Sequence, residues 1–282
     1  TCTELQNMLE DSNDARSLFW LANDITCTDS ISWNSGKGFD PIKNFQGTFD
    51  GQGYKIIGLH INRPDEDYVG LFSELNDYTK VYNVEIDYTS TITGRDQVGS
   101  VVGGISYMDI SGVKSAATVT GTDHVGGLVG VARGWDGTHV SLSSFTGVVE
   151  STGIAGGIVG SGYNGYNISD VFVNGNIQGA TAGGIVGTSE SSCGYRYINN
   201  AVAFGTVNGS TASGGIVGAY ISQSCYVTQL NNSYANTTQP GAGTKGGVIG
   251  SMSASSVSIT NTHYDDTATA DCIGSSVSSS TP

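Results

Sequence analysis

One phrase recurs along the chain: two glycines, two aliphatic residues and a glycine. It reads Gly126-Gly127-Leu128-Val129-Gly130, Gly156-Gly157-Ile158-Val159-Gly160 and Gly183-Gly184-Ile185-Val186-Gly187. It returns as Gly214-Gly215-Ile216-Val217-Gly218 and Gly246-Gly247-Val248-Ile249-Gly250. A variant, Gly99-Ser100-Val101-Val102-Gly103, precedes these, and Val69-Gly70-Leu71-Phe72-Ser73 opens the series. The final positions are 73, 103, 130, 160, 187, 218 and 250, so the steps are 30, 27, 30, 27, 31 and 32 residues. Self-similarity at a nearly fixed period is the mark of a solenoid, propeller or array, and it constrains the fold more than local propensity does.

Between phrases the grammar repeats. An aliphatic column runs Val81, Ile110, Leu142, Ile168, Ile198, Leu230, Ile259, with a small or polar column two residues later: Asn83, Gly112, Ser144, Asp170, Asn200, Asn232, Asn261. A third column holds Ile92, Val119, Val149, Ile177 and Val207. Short strands with Gly, Asn, Ser and Asp at their ends, three per period, describe coils whose strands pair with their copies in the next coil. The expected fold is all-β: a right-handed three-sided parallel β-helix with a short N-terminal capping helix. Residues 1–66 would form the cap and first irregular coils, 67–264 the repeat coils, and 265–282 a Ser-rich tail or linker. The cap suits Leu5, Met8 and Leu9 on one helical face behind Thr3, because a solenoid's first coil otherwise exposes an open core.

Two features of this pattern leave alternatives open. The adjacent aliphatics of each phrase would point to opposite faces of a regular strand. Val102, Val129, Val159, Val186, Val217 and Ile249 then form either an exposed stripe or, if a corner intervenes, a second buried row. The Asn-rich column forms either an amide ladder along the axis or a set of strand terminators. The glycines would supply positive φ or close coil contact.

Composition narrows the partners. Among 282 residues, 25 acidic against 11 basic groups give a net charge of −14, a field that repels phosphate backbones and argues against nucleic acid. No run approaches the ~20 apolar residues of a membrane span, so no direct membrane insertion is expected. Cys2 and Cys27 flank one short unit, and Cys193 and Cys225 lie at nearly equivalent places in consecutive coils. Parallel strands sit ~4.8 Å apart, so both pairs are expected as disulfides in an oxidising compartment, the alternative being buried thiols. Cys272 is left over.

The Gly-Gly-aliphatic-aliphatic-Gly phrase at this period resembles the GLUG motif of bacterial secreted and surface proteins. The preceding segment is similar too, with Leu21-Ala22-Asn23-Asp24-Ile25, Phe45-Gln46-Gly47-Thr48-Phe49-Asp50-Gly51-Gln52-Gly53-Tyr54 and Tyr68-Val69-Gly70-Leu71-Phe72. The resemblance spans roughly residues 4–264 and implies an extracellular β-solenoid serving as stalk, spacer or adhesive module. It implies no shared catalytic set.

The residues themselves show no HExxH, no G-x-S-x-G and no P-loop, and the four histidines are scattered. The expectation is therefore no enzyme activity, no cofactor and no metal. Tyr163, Tyr166, Tyr195, Tyr197, Tyr220 and Tyr226 all follow a glycine phrase, and Trp135 lies in the corresponding earlier loop. They are candidate ligand- or partner-binding residues, or else rings that cover the edge of the core. The expected partners are a host or cell-surface protein or glycan, or neighbouring subunits of a surface assembly. The alternative is a carbohydrate-binding module or a polysaccharide-active enzyme on the same scaffold.

Overall fold

A computed structural model describes residues 1–9, 17–76, 79–134, 137–191, 194–222, 228–253, 257–265 and 271–274. It is a parallel β-solenoid of about 8 turns, 59% strand and 6% helix, with a small N-terminal helix. One coil shows the unit: strands Asp96–Gly99, Val102–Ser106, Asp109–Ser111, Lys114–Ser115 and Thr118–Gly121. Each pairs in register with its copies above and below. Val102 meets Phe72 and Val129, Ile110 meets Val81 and Val140, and Val119 meets Ile92 and Val149. The three expected columns are present, and two more buried columns join them, one through Ile86, Phe145 and Val173, the other through Val98, Val125 and Ala155.

The glycine phrase is a corner. Leu128, Val129, Ile158, Val159, Ile185 and Val186 are all fully buried, and Val217 and Ile249 are 3% and 2% exposed. No exposed stripe exists, because the chain bends at the second glycine and first aliphatic, and the strand begins only at the second aliphatic. One carbonyl holds each corner. Ile158 O accepts the N–H groups of Leu128 (3.1 Å) and Val129 (3.0 Å), and Ile185 O accepts those of Ile158 (2.9 Å) and Val159 (3.1 Å). Each aliphatic so buried contributes about 1.5–3 kcal/mol.

Close approach, not positive φ, demands these glycines. A Cβ on Gly127 would lie 2.1 Å from Gly157 O, and one on Gly184 2.1 Å from Gly215 O, while no phrase glycine has φ in the left-handed region. The left-handed corner lies instead in the small or polar column, at Asn83, Gly112, Leu142, Asp170, Asn200, Asn232 and Asn261, with φ between 47° and 68°. Asn tolerates that conformation better than other residues with a Cβ. The amide ladder exists in pieces: Asn200 Nδ2 donates to Asp170 (2.8 Å) and Asn261 Nδ2 to Asn232 (3.2 Å). The third coil departs from the sequence reading. Val140, not Leu142, fills the aliphatic column, and Leu142 takes the left-handed corner, 65% exposed.

At the N-terminal end α1 (Cys2–Gln6) is capped by Thr1, not Thr3, in a capping box with Glu4. The Cys2–Cys27 disulfide is present and Leu5 and Met8 are buried. Cys193 and Cys225 lie outside the described residues. At the far end Asp271, Cys272 and Ile273 stack as a further corner: Gly247 donates to Asp271 O, and Val248 and Ile249 both donate to Cys272 O. Cys272 is a free, half-buried thiol at the corner position that Val248 and Ile216 hold in earlier coils, and burial raises its pKa.

Candidate functional site

The candidate tyrosines separate into three environments. Tyr166 and Tyr220, 2% and 1% exposed, point into the solenoid and cannot present rings to a partner. Tyr166 donates to Ser189 Oγ (2.7 Å), and burial pushes its hydroxyl up to about 12. Tyr220 accepts from Thr228 Oγ1 (2.9 Å), and the guanidinium of buried Arg196 lies 5.0 Å from its ring centre. These groups form a polar inclusion between the strand after each corner and the strand that follows.

Tyr163 lies on the outer side of the seven-stranded sheet built from the strands after each corner. Its hydroxyl is 3.0 Å from His124 Nε2, and His124 Nδ1 is 2.7 Å from Asp96 Oδ1. His124 has φ 52°, like Gln97 and Tyr68 one and two coils earlier, and this turn lays all three side chains back over the sheet. Arg133 closes the row, donating to the Tyr68 hydroxyl (3.1 Å) with its guanidinium 5.6 Å from that ring's centre. Burial, reinforced by the Glu190 carboxylate, pushes Tyr163 up to about 12, so its phenol stays protonated at neutral pH. The arrangement orients an imidazole between a carboxylate and a hydroxyl, which is the geometry of proton relay. The sequence reading set His124 aside as one of four scattered histidines; its αL turn and the one-coil offset from Asp96 were not visible.

Tyr195 and Tyr197 stack with ring centres 6.1 Å apart and planes 12° apart, with Tyr195 42% exposed. Trp135 and Tyr226 lie outside the described residues. A further outward aromatic row was missed: exposed Phe172 with half-buried Phe204 and Tyr234, successive ring centres 5.9 and 5.8 Å apart. The signal was present, since Phe172 and Tyr234 each follow the left-handed Asp or Asn by two residues, an outward position. Among the described residues no group of three or more His, Cys, Asp or Glu could hold a metal ion, and no helix is long and apolar enough to cross a membrane.

No protein-family profile matches the chain. It is 38% identical over 105 residues to Halomucin of Haloquadratum walsbyi, covering 36% of this chain and 1% of that protein. It is 34% identical over 91 residues to a "Putative Gly-rich membrane protein" of Evansella cellulosilytica, covering 30% of this chain and 10% of that one. The chain thus spans a small part of each relative. A crystal structure described as a "putative immunoglobulin A1 protease" from Bacteroides ovatus matches 98% of this chain and 82% of its own, with TM-score 0.54 and 20% identity. At that identity the likeness shows a shared fold. The description nevertheless overturns the expectation that this chain is not an enzyme, which rested on missing motifs alone; a solenoid of this shape occurs in a protein described as a protease.

Proposed function

We propose that the chain is a segment of an extracellular cell-surface protein, a GLUG-type β-solenoid that sets distance along its axis and makes adhesive contacts through outward-facing side chains. The observation that carries this reading is the in-register parallel pairing from coil to coil behind a disulfide-pinned cap. Continuous pairing makes a rod, and a disulfide suits an oxidising exterior. The names of the two relatives, Halomucin and a Gly-rich membrane protein, favour the same location. Labelling of intact producing cells with a membrane-impermeant biotin reagent tests it. Labelling of the chain at the surface is expected, and recovery only from the lysed cytoplasm would refute it.

A second reading is peptide hydrolysis, after the description of the Bacteroides ovatus structure. The observation in its favour is the Asp96–His124–Tyr163 chain of hydrogen bonds, an oriented imidazole beside a hydroxyl. In that role a water would attack the peptide carbonyl, Tyr163 would protonate the leaving amine, and His124, held by Asp96, would take the water's proton and return one to the phenol. Purified chain incubated with immunoglobulin A1 tests this. Cleavage lost in His124→Ala would support it, and an intact substrate would dismiss it.

A further inference from the structure

We propose that the outer face of 166–183, 196–214 and 228–238 binds an uncharged polysaccharide, with Phe172, Phe204 and Tyr234 stacking on sugar rings and the flanking amides and hydroxyls pairing with sugar hydroxyls. The inference rests on the surface-contact reading above and names the partner.

The first observation is a change of character within one row. Outward positions at equal register run Lys55, Glu85, Lys114, Ser144, Phe172, Val202, Tyr234, His263. The early coils fill this row with charges, and Lys55 pairs with Glu85 at 2.8 Å. A solenoid keeps its outward rows soluble in this way at no cost to the core. From Phe172 to Tyr234 the row is aromatic and aliphatic, with His263 after it, and Phe204, one column over, joins it. Phe172 is 39% exposed.

The second observation is charge. In a chain of net charge −14, the three stretches contain Asp170 and Arg196 as their only ionisable acid and base. Arg196 points inward and is buried, and Asp170 accepts a hydrogen bond from Asn200. The remaining outward positions are amides and hydroxyls: Asn174 and Asn236 beside Phe204, and Asn176, Thr206 and Thr238 in the next row. An acidic glycan or a nucleic acid finds no cation here to pair with its charge. Aromatic faces stacked on the C–H faces of sugars, with amides around them, supply recognition without charge.

The third observation is continuity. Elsewhere a coil breaks between short strands, as at Ser144–Phe145 and Val148–Ser151, but here, beyond the left-handed corners at Asp170 and Asn200, Val171 to Gly179 pairs without a break against Ala201 to Gly209. Like rows therefore repeat at the strand spacing of ~4.8 Å over this paired stretch. A ligand with a repeating pattern of hydroxyls matches such a ladder.

All four N-x-Ser/Thr sequons, Asn167, Asn208, Asn231 and Asn236, lie in these stretches, so covalent glycosylation competes with glycan binding. The Asn231 amide is already committed to Asn199 Oδ1 (2.9 Å), and Asn167 and Asn208 are half-buried. Asn236 is the exposed sequon, so attachment there is what the mass-spectrometric arm of the test reads.

The test is retention of the purified chain on insoluble cellulose, chitin, β-1,3-glucan and starch, with alginate and pectate as acidic controls. Binding to at least one neutral polymer is expected, undiminished at high salt. The triple variant Phe172→Ala, Phe204→Ala, Tyr234→Ala is expected to bind at least about tenfold more weakly, while its circular dichroism and cooperative thermal transition show that the solenoid still folds. Asn174→Asp with Asn236→Asp, which leaves the rings in place, is expected to weaken binding as well. Retention on acidic polymers alone, on no polymer, or undiminished in the triple variant would overturn the proposal. So would mass spectrometry showing the native face occupied by attached glycans. Surface labelling of cells is a separate readout: a chain found at the surface that retains no neutral glycan sinks this inference and leaves the location standing.

Discussion

At the scale of residues, the glycines of the corner and the glycines of turns do different work, and substitution separates them. Gly184→Ala places a methyl 2.1 Å from Gly215 O and 2.9 Å from Ala203 Cβ, where neighbouring backbone cannot yield. A loss of about 3 kcal/mol is expected from the urea midpoint. Gly53 has φ 81° with nothing within 4 Å of an added Cβ, so Gly53→Ala meets only the cost of a left-handed alanine, about 1 kcal/mol. Equal losses would refute this division. Asp87 offers a pH test. Burial works against its ionised form, but the Gly58 N–H and the hydroxyls of Thr89 and Ser90 outweigh it and hold the carboxyl below its ordinary range. The folded value lies below the unfolded one, near 3.9. Its stabilisation is therefore complete above the unfolded value and lost as pH falls through the folded one. Asp87→Asn is expected to flatten the acid side of the stability profile below about pH 4 and to lower stability at pH 7. An unchanged acid limb would show that Asp87 carries none of it.

At the scale of elements, the N-terminal cap is the piece with the sharpest prediction. The disulfide closes a separation of 25 residues and holds α1, through its buried Leu5 and the adjoining Met8, against the first coil. Cys2→Ser with Cys27→Ser is expected to cost about 2–4 kcal/mol and to expose amides of the first coils to hydrogen exchange, while later coils keep their protection. Uniform loss of protection would mean that the cap is coupled to the whole rod. Repeating elements were legible in the sequence because each coil restates the same rule: the buried phrases, the Ile92 column and the Asn corners all sit where the period put them. What was not legible came from places where one coil breaks the rule. Val140 and Leu142 are both aliphatic and two residues apart, so composition could not choose which faces inward. Asp271-Cys272-Ile273-Gly274 keeps the corner's hydrogen bonds with only its last glycine, so it read as tail. The tyrosines shared a loop position in sequence, but strand alternation sends Tyr166 and Tyr220 inward and leaves Tyr163 outside. The aromatic face formed by Phe172, Phe204 and Tyr234 comes from three coils, and no local window contains it.

At the scale of the whole molecule, stability is a sum of coils and of interfaces between neighbours, not one global quantity. A central coil has two partners, and an end coil has one unless a cap supplies the second. The two described ends differ in this respect. The first is covered by α1, whose Leu5 is 4% exposed. In the last described coil Ile259 and Cys272 are only half-buried, whereas Leu230 and Ile198, equivalent to Ile259, and Val248, equivalent to Cys272, are fully buried. Half-burial of an aliphatic forfeits part of the roughly 1.5–3 kcal/mol that full burial provides, so the last coil opens at lower free energy. Each coil that opens uncovers the next, and opening should advance from the C-terminal side. Hydrogen exchange followed by mass spectrometry is expected to show protection rising from peptides covering 257–274, through 228–253, to a plateau over 137–191. Ile185→Ala in the plateau should cost about 2–5 kcal/mol and divide the profile into two independently opening parts. Ile259→Ala should cost about half as much and shift only the last step. A profile that falls everywhere at once, in either variant, would mean that the rod unfolds as a single unit and that the nearest-neighbour description does not hold.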